Sequence, residues 1–145
     1  MVSDRHGVPL ACLATPGQKN ESLYVGPLLD AVRVPQSTGP PRRRPQLLIA
    51  DKGYDHPTVR RALRARHIRA LIPRREDPRL HRVGRPAFFD VHLYRGRNVV
   101  ERLVGRLKER RRVATRFEKF AVSYETLVKL AFVERYLESP FPYTA

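Results

Sequence analysis

The chain has 145 residues, 41% of them hydrophobic, with 29 Lys and Arg against 14 Asp and Glu, a formal net charge of +15. That length supports one domain with a real core, and that charge favours polyanionic partners, nucleic acid first, through long-range field and counterion release. No run of 18 apolar residues is present and no cationic segment leads into an apolar h-region, so neither a membrane span nor a secretory signal is expected and a cytoplasmic protein is.

In chain order, VSDRHGVPLACLA predicts a strand, a turn at Asp4 to Gly7 and a second strand over Val8 to Ala14. Thr15-Pro16-Gly17-Gln18 breaks that strand. Asn20 then reads as the N-cap of a helix through Leu23, Leu28, Leu29, Ala31 and Val32, with a kink expected at Gly26-Pro27. Pro35 to Pro45, PQSTGPPRRRP, is a proline-rich linker carrying Arg42, Arg43 and Arg44; it reads equally as an exposed connection or as a flexible contact to a DNA backbone.

Gln46-LLIA-Asp51 gives a continuous apolar run, Leu47 to Ala50, ending in an acid, the pattern of a central parallel strand covered on both faces with a functional group at its carboxyl end. Asp51-Lys-Gly-Tyr-Asp55 makes a turn into a helix over Val59, Ala62, Leu63 and His67, capped by Asp55 or Thr58. Ile68 to Pro73 is the next strand, and Arg74 to His92 reads as irregular. Asn98 to Arg112 predicts one helix, with Val99, Val100, Leu103, Val104 and Leu107 on the core arc. Val113 to Lys119 connects to a last helix over Ser123 to Leu137, packed through Leu127, Leu130, Ala131, Val133 and Tyr136. Residues 1–138 form one unit and 139–145 a tail.

Cys12, the single cysteine, excludes an internal disulfide and a Cys-rich zinc site; in its apolar run it reads as a buried small hydrophobe. His6, His56, His67, His81 and His92 lack the spacing of a metal site and suit surface or cap positions. Glu101 stands off the apolar arc of its helix. Tyr94, Arg97 and Lys108 come round to its side of the wheel, because separations of three, four and seven residues nearly close whole turns. This column is either a solvated face with an Arg97–Glu101 pair or a metal-binding carboxylate flanked by phosphate-binding cations.

The spacing Y-x2-R-x3-E-x6-K is matched in full by Tyr94, Arg97, Glu101 and Lys108. On these residues the sequence resembles the DDE transposases of bacterial insertion sequences, in the group whose third acidic residue lies in this signature. DKGYD after an apolar strand resembles their second acidic motif. The resemblance implies an α/β fold, a ribonuclease H-like mixed sheet flanked by helices, here lacking its first strand. It implies Asp51 and Glu101 as catalytic, metal-ligating acids, with Mg²⁺ or Mn²⁺ as the cofactor. It implies double-stranded DNA, both transposon ends and target, as the partner, contacted by Tyr94, Arg97, Lys108, Arg42, Arg43 and Arg44, in a nucleoid-associated protein.

Enzymes of this kind cut at the transposon end and join the freed 3′-hydroxyl to target DNA through divalent ions held by three acids. The family's first Asp lies on a strand upstream of the hairpin; Asp4 sits in the hairpin turn, and neither it nor Glu21 stands on a strand matching that motif. The chain is therefore expected to be a C-terminal part of a transposase, inactive until an N-terminal part joins it by fusion or association. It would be a second reading frame, a decayed remnant, or a product of a misassigned start. The alternative class is a non-catalytic DNA-binding remnant. A basic RNA-binding module would need stacking aromatics that are lacking here.

Overall fold

The computed structural model describes residues 1–15, 18, 20–75, 89–115 and 118–138. The expected irregularity of Arg74 to His92 falls largely outside these residues, as do His81 and the tail.

The chain starts in an antiparallel hairpin, β1 (Val2–Ser3) and β2 (Pro9–Ala11). Asp4 shapes its turn: the Asp4 carboxylate accepts from the amides of His6 (2.9 Å) and Val8 (2.8 Å). Gly7 closes the turn at φ +81°, and a Cβ there would come within 3.2 Å of Val99, so backbone and neighbour both require glycine. The second strand is shorter than the alternation suggested, ending at Ala11 instead of Ala14.

Asn20 is the expected cap, its side chain accepting from the Ser22 amide at 3.0 Å. It opens a 3₁₀ turn, Glu21–Tyr24, that passes into α1 (Val25–Asp30). Pro27 causes no break, because it sits in the first turn of α1, where its missing N–H has no carbonyl to meet.

β3 (Leu47–Ile49) and β4 (Arg69–Leu71) pair in parallel, Leu47 beside Arg69 and Ile49 beside Leu71, joined through α2 (Pro57–Ala65). This is the expected strand, helix, strand order, with two differences. β3 is half-buried along its length rather than fully covered, and among the described residues it is no central strand, pairing only with β4. His67 is not helical: it takes φ +53° just past the C-cap Arg66. Its amide donates to the Arg64 carbonyl (2.9 Å) and that of Ile68 to the Leu63 carbonyl (2.9 Å), the paired bonds of a Schellman stop. The helix cap is His56 rather than Asp55 or Thr58.

α3 (Val91–Arg95) leads through Gly96 and Arg97 into α4 (Asn98–Glu109). The single helix expected over Asn98 to Arg112 is interrupted: Arg110 is extended, and α5 (Arg111–Thr115) takes up part of the expected connection. α6 (Ala121–Glu138) follows. Phe132 is its buried residue, with Tyr124, Leu127, Val128 and Ala131 packed beside it, while Leu130 and Val133 are 56% and 51% exposed. The helix is thus rotated from the expected face. Its apolar residues are spread around the helix rather than gathered on one face, so its periodicity carried little information on orientation.

The buried residues form two clusters. One joins α1, α2 and the β3–β4 sheet through Val25, Leu29, Val59, Leu63, Ile68 and Ile72. The other joins α4, α5 and α6 through Leu107, Val113 and Phe132, with Met1 and Cys12 of the hairpin segment against it. Cys12 is half-buried, and burial raises its thiol pKa, in keeping with a packing role. The Tyr136 hydroxyl donates to the Pro9 carbonyl, tying α6 to the hairpin. Among the described residues the two sheets do not pair with each other, so the fold as described is mixed α/β with a divided sheet.

Candidate functional site

Asp51 stands where the apolar run predicted it. Pairing of β3 with β4 continues one bond past Ile49, the Ala50 amide donating to Leu71, and the chain then leaves the sheet. Asp51 is exposed and caps the 3₁₀ turn Lys52–Tyr54, one carboxylate oxygen accepting from the Gly53 amide at 2.8 Å. A Cβ on Gly53 would lie 2.8 Å from that oxygen, so this turn requires glycine for the carboxylate to fold back over it.

The rest of the DKGYD segment fixes this turn from below. The Tyr54 ring packs against the first cluster and its hydroxyl donates to Glu21 at 2.8 Å. Burial chiefly, then the Glu21 bond and the charges of Glu21 and Asp51, push the Tyr54 hydroxyl well above the ordinary tyrosine range. Asp55 takes the Arg60 side chain on one oxygen and the Arg75 amide on the other, both at 2.6 Å. The Arg75 guanidinium reaches the carbonyls of Lys52 (3.3 Å) and Gly53 (3.1 Å), directly behind Asp51. Sequence reading missed this clamp. A signal existed in an acid one residue before a helix cap and an arginine five further on, but Arg75 comes from across the sheet.

Glu101 lies in the first turn of α4, 56% exposed, with Arg97 bonded to it at 2.7 Å. The Arg97 guanidinium also lies over the Tyr94 ring, 5.8 Å from its centroid, and Tyr94 meets Phe89 at 5.0 Å. The predicted column therefore exists for Tyr94, Arg97 and Glu101, although Tyr94 belongs to α3. The linking turn keeps right-handed backbone through Gly96 and Arg97, so the three- and four-residue spacings still superpose. Lys108 is exposed on α4, seven residues beyond Glu101. Arg42, Arg43 and Arg44 are exposed ahead of β3, at the end of the strand away from Asp51.

Asp51 and Glu101 offer hard carboxylate oxygens, the donor type Mg²⁺ prefers. They belong to elements packed on different clusters, and among the described residues no three His, Cys, Asp or Glu side chains gather closely enough to hold a metal ion.

A family model described as a transposase DDE domain matches residues 1–133, a span that includes every residue of the column and the whole of DKGYD. The chain belongs to the DDE transposases of insertion sequences. A candidate transposase for insertion sequence element IS402 from Burkholderia cepacia is 35% identical over 131 residues, covering 90% of this chain and 57% of that relative. The transposase chain thus spans little more than half the length of the curated relative it matches. No solved structure matches it. Transposases of this family generally use divalent metal ions. Among the described residues, no helix is long and apolar enough to cross a membrane.

Proposed function

We propose that this chain is the C-terminal part of a DDE transposase whose complete form cuts and joins transposon-end DNA, and that the chain by itself does not cut. The observation that carries the reading is the Tyr94, Arg97 and Glu101 column, standing in a chain of this family with its acid and cation already in contact. In this reading Asp51 and Glu101 supply two ligands for Mg²⁺ or Mn²⁺, and the third comes from the part of the enzyme that the longer relative contains in addition. Arg97 and Lys108 hold phosphates near the scissile bond, with Tyr94 packed beside them. Double-stranded DNA is the substrate, and the complete sheet is ribonuclease H-like, its missing strand joining β3 to the hairpin. Two facts support that completion: the sheet is divided, and β3 is half-buried with one paired edge.

A second reading, a non-catalytic DNA-binding remnant, is equally compatible with the absence of a three-donor cluster among the described residues. Cleavage assays separate the two. Strand cleavage is measured with Mg²⁺ or Mn²⁺ for the chain alone, for a fusion to the natural upstream reading frame, and for that fusion carrying Glu101→Gln. The proposal expects activity only in the unmutated fusion. Activity in the chain alone overturns the partial-enzyme reading, and an inactive, folded fusion favours the remnant.

A further inference from the structure

The β3–α2–β4 unit has two chemically different poles. Parallel pairing places the starts of both strands together, and the connecting helix returns its C-terminus to that same end. The opposite pole carries the acids Asp51, Asp55 and, through Tyr54, Glu21, with Arg60 and Arg75 set among them. The starting pole carries cations. Arg42, Arg43 and Arg44 lead into β3, Arg69 opens β4, and Arg64 lies exposed in the last turn of α2. The neighbouring Arg66 is neutralised by Asp30 at 3.0 Å.

This arginine segment is held in place. Val34 and Arg42 form a two-bond bridge (2.9 and 2.8 Å) that closes the proline-rich loop between them. Pro40, Pro41, Arg42, Arg43, Arg44 and Gln46 line an open groove of about 510 Å³ that has no acid among its lining residues. The Arg69 amide donates to the Gln46 carbonyl at 3.0 Å, which sets the start of β4 beside that groove. Prolines on one side and strand pairing on the other limit the backbone entropy lost on binding.

We propose that this pole is a second binding surface for the phosphate backbone of duplex DNA, separate from the Asp51 end. Arg44 and Asp51 lie seven positions apart in sequence. At about 3.3 Å per extended residue they are no more than roughly 23 Å apart. With about 3.4 Å of rise per base pair, the pole grips a duplex up to about seven base pairs from the phosphate that Asp51 faces. Successive guanidiniums on a backbone tied at both ends engage several phosphates at once, which a polymer offers and a free phosphate ion does not. The inference rests on the DNA reading above and adds a location to it: an anchor remote from the chemistry.

The test is fluorescence anisotropy of the full chain with a labelled 30-base-pair duplex over a range of salt. Losing three phosphate contacts in the R42A/R43A/R44A variant lowers the slope of log affinity against log salt by about 2.7, and R42K/R43K/R44K retains it. An R97A/K108A variant keeps the contribution of the pole. If the triple alanine variant folds poorly by circular dichroism, R69A alone must lower the slope by about 0.9. A folded triple variant with an unchanged slope overturns the second surface and leaves the DNA reading standing. Wild-type chain without affinity for DNA overturns the DNA reading itself. Tighter binding to an RNA duplex of the same sequence overturns the assignment of the partner.

Discussion

Replacing Asp55 by alanine tests whether the clamp behind Asp51 holds the fold together. The Asp55 carboxylate is 9% exposed and Arg60 26%. One oxygen takes the Arg60 side chain and the other the Arg75 amide, and Arg60 also reaches the Ile72 carbonyl at 3.0 Å. Breaking a fully buried ion pair by removing one partner costs about 3–5 kcal/mol, because the remaining charge is stranded. Arg60 keeps partial access to water and its bond to Ile72, which reduces the expected cost to about 2–3 kcal/mol. In a domain near 150 residues each kcal/mol moves the melting temperature by about 3–4 °C, so D55A should melt roughly 6–12 °C lower. Urea unfolding followed by circular dichroism measures the free energy, and a D55A/R60A cycle should return a coupling of about 1–2 kcal/mol. A D55A cost below about 0.5 kcal/mol, the range of ordinary surface changes, would refute the clamp. Strict additivity in the cycle would do the same for the Asp55–Arg60 part.

Two further predictions are independent of this one. His67→Gly should stabilise the chain by about 0.5–1 kcal/mol: it relieves the left-handed strain of a residue with a Cβ and gives back part of that gain through the freer unfolded chain, as a shift in urea midpoint shows. Tyr54 has its hydroxyl pKa raised in the fold, so the stability it contributes is complete below its unfolded value of about 10 and is lost as pH rises toward the folded value. Stability should therefore fall above about pH 10 in the wild type and fall less in Tyr54→Phe. In Glu21→Gln, absorbance at 295 nm should show tyrosinate forming at lower pH, since the Glu21 charge no longer opposes ionisation; an unchanged titration would remove Glu21 as a cause.

The sequence by itself determined what depends on neighbours along the chain. The hairpin turn at Asp4 to Gly7, the Asn20 cap, and the apolar run delivering Asp51 to a strand end all follow from local backbone and capping preferences. So does the Tyr94, Arg97 and Glu101 column, because spacings of three and four residues superpose on helical backbone even across the junction at Gly96. The tertiary structure decided what depends on partners far away in sequence. α6 turned a different face inward because its apolar residues are spread around the helix and contacts with the hairpin, α4 and α5 select among them. The helix carrying Glu101 stopped at Glu109, although good helix formers ran on through Arg112, because the chain turns at Arg110 to bring Val113 into the second cluster. Asp55 proved structural because Arg75, twenty positions on, arrives from the loop after β4. The charge separation along β3–α2–β4 was hidden for the same reason. Arg42 to Arg44 and Arg69 are distant in sequence, and parallel pairing alone puts them at one end and the acids at the other.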